Sequence, residues 1–123
     1  MKINFNNFKV IRFLLTFIIV FCSFFTSKAQ VPACTKTFFT GNFTNVINAG
    51  EVACVPEGST YQGSLVIHAG AHAIICNRTF DGSLTINPAW GPNPAGKLWD
   101  GPGQQYAGSV SNSGDHDNSG SAC

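Results

Sequence analysis

Three histidines, six carboxylates and five cysteines are the side chains through which this 123-residue chain could do chemistry. His68 and His72 stand four apart, a spacing that on a helix puts two imidazoles on one face for a metal ion. Gly70 lies between them in a turn signal and no carboxylate is near in sequence, so both read as exposed turn histidines. Asp115-His116-Asp117 offers ligands for a hard cation, or a carboxylate–imidazole pair, but sits in Asn-Ser-Gly-Asp-His-Asp-Asn-Ser-Gly and reads as solvated linker. Glu51, Glu57, Asp81 and Asp100 form no pair in sequence of the kind acid–base catalysis uses. There is no Gly-x-Ser-x-Gly elbow and no phosphate-binding loop. No catalytic residue, metal or cofactor is expected, and the protein is expected not to be an enzyme.

The elements that carry these residues begin after a leader. Met1 to Arg12 is polar and basic, and Phe13 to Phe25 is an apolar run. Ser27-Lys28-Ala29 then supplies a small-x-small site, with Gln30 as the new first residue. This is the order of a secretory signal peptide. As a helix the apolar run spans about 20 Å, short of a ~30 Å hydrocarbon core. Phe21 before Cys22 is too large for a lipobox. Residues 1–29 are therefore expected to be cleaved, leaving a secreted or surface-exposed chain with no membrane insertion. Beyond position 29 three basic residues (Lys36, Arg78, Lys97) face all six acidic ones, a balance that speaks against nucleic-acid binding.

Export decides how the cysteines are read. Cys34, Cys54, Cys76 and Cys123 remain, an even number with no CxxC spacing, which favours disulfides. The strongest feature of the remaining chain is an internal repeat. Residues 42–53 overlay 62–73 without a gap, with Val46/Val66, Ile47/Ile67, Ala49/Ala69, Gly50/Gly70 and Ala53/Ala73 identical. Gln62-Gly-Ser-Leu-Val-Ile67 recurs as Asp81-Gly-Ser-Leu-Thr-Ile86. Each copy holds short stretches of alternating apolar residues bounded by Gly, Pro, Asn and Ser, a strand grammar. The reading is all-β: a short parallel β-solenoid over residues 30–87, about two and a half coils of roughly 19–20 residues. Residues one period apart would stack ~4.8 Å apart, inside the range a disulfide bridges. Cys34–Cys54 is thus the first choice and Cys54–Cys76, two residues out of register, the rival. Cys123 is left unplaced, free or paired outside this chain.

From Pro88 to Cys123 more than half of the residues are Gly, Pro, Ser or Asn, so residues 88–123 read as a flexible tail. Trp90, Trp99 and Tyr106 are its exceptions. They could fold back over the open end of the coils, stack on sugar rings, or belong to a coil interrupted by Pro88-Ala-Trp-Gly-Pro-Asn-Pro94.

The run Gly41-Asn-Phe-Thr, Gly50-Glu-Val-Ala-Cys-Val-Pro-Glu-Gly-Ser-Thr-Tyr-Gln-Gly-Ser-Leu65 and Ile74-Ile-Cys-Asn77 resembles the start of large secreted surface proteins of Bacteroidetes. In those proteins a signal peptide leads into short β-solenoid coils, followed by sandwich domains and a sorting domain for type IX secretion. The resemblance covers about residues 30–87, and no sandwich or sorting domain follows here. It implies an exported, non-enzymatic adhesin-like or structural surface segment, either as it stands or as a truncated fragment of a larger protein, with cell-surface or matrix glycans or proteins as partners. The alternative is a carbohydrate-binding or carbohydrate-active module built on Trp90, Trp99 and Tyr106.

Overall fold

Alternating apolar residues cut short by Gly, Pro and Asn make brief strands, and brief strands are stable only when many of them pair. The computed structural model describes residues 30–123, and the signal-peptide expectation lies outside the described residues. These residues form eleven strands and no helix. In chain order they are β1 (Lys36–Thr37), β2 (Asn45–Ile47), β3 (Val52–Val55), β4 (Leu65–Ile67), β5 (His72–Ile75), β6 (Thr79–Phe80), β7 (Leu84–Ile86), β8 (Lys97–Asp100), β9 (Gln105–Tyr106), β10 (Val110–Asn112) and β11 (Asp115–Asp117). Among the described residues no helix is long and apolar enough to cross a membrane.

Every strand pairs in parallel with one from the next repeat. A five-stranded sheet runs β1-β3-β5-β8-β11, a four-stranded sheet β10-β7-β4-β2, and a two-stranded sheet β6-β9. The register is the one that the repeat predicts: Val46 opposes Val66 and Ile47 opposes Ile67, which opposes Ile86. Ala53 likewise opposes Ala73. Ile47, Ile67 and Ile86 are each 0% exposed, so one row of isoleucines runs through the interior. At roughly 1.5–3 kcal/mol for each fully buried aliphatic side chain, such rows are the main source of stability. Leu65 and Leu84 form a second row, Ala53, Ala73 and Leu98 a third. Tyr61 and Phe80 fill the side nearest the two-stranded sheet, their rings 6.1 Å apart.

The segment expected to be a flexible tail instead continues the stack. β8 pairs with β5, β10 with β7, and β11 with β8. The repeat was hard to follow because Asn87 to Gly96 inserts a hairpin between β7 and β8, where the earlier copy has only a four-residue turn between β4 and β5. The spacing jumps accordingly: Leu84 pairs with Val110, whereas Leu65 pairs with Leu84. Gly108-Ser109-Val110 is nonetheless the third occurrence of the motif in Gly63-Ser-Leu65 and Gly82-Ser-Leu84.

The two faces of the structure differ. Along β3, β5 and β8 the inward side chains join the main core, while the outward Val52, Cys54, Ile74 and Trp99 form a second buried cluster. Val31, Cys76 and Ala122 pack on that cluster, so segments from both ends of the described chain cover the five-stranded sheet. Disulfides fasten both segments. Cys34 bonds Cys54 with their Cα atoms 5.8 Å apart, and Cys76 bonds Cys123 at 6.1 Å. The first bond is the expected one, but the rung partner of Cys54 is Thr37 rather than Cys34. Cys34 lies on the strap that leads into β1, and the bond ties that strap to the sheet instead of joining equivalent rung positions. The rival Cys54–Cys76 bond does not form, and Cys123 is neither free nor unplaced.

Candidate functional site

Three polar clusters stand out, each holding residues read from sequence as linker, turn or aromatic platform. The first closes the end of the core. Asp100 occupies the inward position that Ile75 holds one rung earlier and is 7% exposed. Its Oδ1 accepts a hydrogen bond from the Tyr106 hydroxyl and lies 2.9 Å from His116 Nε2. Burial, and then the neighbouring Asp100 carboxylate, push the Tyr106 phenol well above its ordinary range. Tyr106 also packs edge-on against Phe80 and His116. A buried carboxylate at this inward position is tolerable because both partners satisfy it. His116 is thus on strand β11 and not in a solvated linker, and Tyr106 is occupied by the fold and is no open platform.

The second cluster lies outside the five-stranded sheet, where His72, Lys97 and Asp115 form one row. Trp99 is 3% exposed, its indole N–H donates to His72 Nδ1 at 3.1 Å, and Lys97 Nζ sits 4.1 Å above its ring. Lys97 also reaches Asp115 at 3.4 Å, and at the other edge of the sheet Lys36 pairs with Glu51 at 2.8 Å. The Glu51 carboxyl is held below its ordinary range by Lys36 and by the backbone N–H of Asn48. His72 is therefore a packed strand residue and not an exposed turn histidine, and Trp99 cannot receive a ligand on its face.

This arrangement has a pH consequence. Accepting from Trp99 requires a neutral imidazole at Nδ1, and burial, followed by the charge of Lys97, lowers the His72 pKa from its ordinary 6.5. Between that lowered value and 6.5 the unfolded chain holds more protons than the folded one, so this residue's contribution to stability is present above 6.5 and lost as pH falls through the window. Replacing His72 with Asn keeps an acceptor and removes the titration. Denaturant unfolding at pH 7 and pH 5 should show a larger loss on acidification for the parent than for His72→Asn. Equal losses would disprove the assignment.

The third cluster is open. Asn48, His68 and Asn87 directly follow β2, β4 and β7, so the register of the isoleucine row stacks them on successive rungs. Backbone hydrogen bonds extend the ladder through them, from His68 N–H to Ile47 O at 3.0 Å and from Asn87 N–H to Ile67 O at 2.9 Å. Beside this row stands the inserted hairpin. Trp90 and Asn93 exchange both backbone hydrogen bonds at 3.1 Å, and Gly70 N–H donates to Pro94 O at 2.6 Å. Gly70 has φ +77°, and a Cβ there would lie 3.1 Å from the Ala49 Cβ and 3.2 Å from the Asn93 side chain, so only glycine lets the hairpin dock this closely. Between row and hairpin runs a groove of about 610 Å³ lined by Asn48, Ala49, His68, Ala69, Asn87, Pro88, Trp90 and Asn93. Trp90 is 79% exposed. Of the three aromatics considered as stacking platforms it alone presents its ring.

Sequence reasoning singled out Trp90 and His68 without connecting them. The signal that links them is the position immediately after Ile47, Ile67 and Ile86, which reads Asn, His, Asn. No protein-family model, curated protein or solved structure matches the chain.

Proposed function

We propose that this chain is an exported, non-enzymatic surface segment, adhesin-like or structural, built as a short β-solenoid with one face kept open for contact. The supporting observation is the asymmetry between its sheets. The five-stranded sheet is covered on its outside by two strapped segments, whereas the outward row of the four-stranded sheet, Val46, Val66, Thr85 and Ser111, is exposed or half-buried along its length. A large aromatic, Trp90, stands beside the next row along the chain, Asn48, His68 and Asn87, and Phe43, 77% exposed, lies just before β2. Exposed apolar groups of this size beside a flat, stiff face suit an interaction surface. The two disulfides fit an oxidising compartment.

Parallel strands one repeat apart, in register across three sheets, support the solenoid reading. The second reading, a carbohydrate-binding module, is favoured by the Trp90 groove alone. Display of the full chain on a non-adherent bacterial host tests the proposal. Cells carrying it should gain attachment to host-cell or matrix-coated surfaces, and a host that attaches no better than its parent would reject the surface-contact role.

A further inference from the structure

The geometry points to the groove between the Asn48–His68–Asn87 row and the Trp90 hairpin as a binding site for a linear, uncharged oligosaccharide lying along the stacking direction. The inference deepens the surface-contact reading and rests on it.

The lining selects the ligand class. Three amides and one imidazole face the groove, and among the described residues none of these four side chains has a hydrogen-bond partner of its own. Each amide both donates and accepts, as sugar hydroxyls do. The groove is lined by no Lys, Arg, Asp or Glu, so a charged ligand would lose its water without gaining a counter-charge. A wholly apolar segment would leave the amides unsatisfied. The indole face of Trp90 supplies the remaining element, a flat apolar surface for the C–H face of a pyranose ring.

Spacing selects the orientation. Successive members of the polar row stand one strand apart, ~4.8 Å, close to the length of one pyranose unit in an extended chain. A glycan running along the row therefore meets one polar side chain per sugar. The groove's volume of about 610 Å³ lies within the ~300–1,000 Å³ usual for small-ligand sites. The floor is small, Ala49 and Ala69, and the hairpin is closed by its own backbone bonds and docked on Gly70. Little ordering is left to be done on binding, which favours affinity.

Affinity electrophoresis of the full chain, exported and oxidised, through gels containing soluble β-glucan, xylan or mannan tests this, with polygalacturonate as the charged comparison. At least one neutral polymer should retard the protein. Trp90→Ala should weaken that retardation roughly thirtyfold, as expected for a central aromatic anchor, and His68→Ala about fivefold. Because the Trp90 side chain is largely outside the core, Trp90→Ala should melt at the parent's temperature, which separates lost binding from lost folding. Retardation by none of the neutral polymers, retardation unchanged by Trp90→Ala, or stronger retention by polygalacturonate would overturn the proposal. So would a sugar-blind parent that sediments as a dimer and becomes monomeric with Trp90→Ala, since a second copy would then fill the groove. Attachment of displaying cells that persists without glycan binding removes the groove site and leaves the surface role. Glycan binding without attachment does the reverse.

Discussion

Reducing both disulfides should unfold the protein at room temperature. The loops they close do not overlap, spanning 20 residues between Cys34 and Cys54 and 47 between Cys76 and Cys123. Chain-entropy arguments assign about 3 and about 4 kcal/mol to loops of those lengths. Together these come to about 7 kcal/mol, more than the low end and half of the high end of the roughly 5–14 kcal/mol expected of a domain this small. The core offers little reserve, because strands of two to four residues bury only one or two side chains each on the inside. Each bond also holds a cover in place: without Cys34 or Cys123 tethered, Val31 and Ala122 are free to leave Val52, Ile74 and Trp99. Far-ultraviolet circular dichroism should show the β signal in oxidising buffer and its collapse in reductant, with Trp99 fluorescence shifting to the red. Of the single replacements, Cys76→Ser should cost more than Cys34→Ser. A cooperative melt that survives reduction would show that the rungs alone suffice.

Gly82→Ala should be nearly as damaging, although it adds a single carbon. Gly63, Gly82 and Gly108 occupy equivalent corners of successive rungs, and a Cβ on Gly82 would lie 2.6 Å from the carbonyl carbon of Gly63 and closer still to its oxygen. Backbone cannot swing aside as a side chain can. The rung would have to lift, breaking the Leu65-to-Ser83 backbone hydrogen bond at 3.0 Å and the Ser64–Ser83 hydroxyl bond at 2.7 Å. A loss of about 3 kcal/mol or more is expected, at the high end for overpacking, which for a domain of this size lowers the melting temperature by ~15 °C or more. Gly103→Ala is the contrast. Nothing lies within 4 Å of a Cβ there, and only its φ of +66° opposes a side chain, at about 1 kcal/mol. Similar melting temperatures for the two variants would show that the rungs are not packed backbone to backbone at Gly82.

The repeat was legible because in-register stacking places each residue against its own counterpart one turn of chain away. Val46 against Val66 and Ile47 against Ile67 against Ile86 are therefore visible both as a pattern in the chain and as contacts in space. All-β character and parallel pairing follow from that periodicity and from local strand and turn preferences, whereas the Cys34–Cys54 bond, expected from the same spacing, ties a strap to the sheet and not one stacked position to the next. Contacts between residues with no periodic relation leave no such trace. Asp100, Tyr106 and His116 meet because β11 stacks on β8 with His116 opposite Leu98, and β9 brings Tyr106 to the same corner, so the Asp100 carboxylate is satisfied from two separate strands. Cys123 finds Cys76 because the end of the chain turns back across the five-stranded sheet. Of the readings open for Trp99, the one that holds is a coil interrupted by Pro88–Pro94: it lies on β8 beyond that insertion and is buried, while Trp90 stays outside because its hairpin is the insertion and has no rung position to fill. Local alternation and spacing thus specify which strands form and which neighbours they take. Which polar groups are consumed in closing the stack, and which are left facing the groove, depends on long-range packing that burial alone decides.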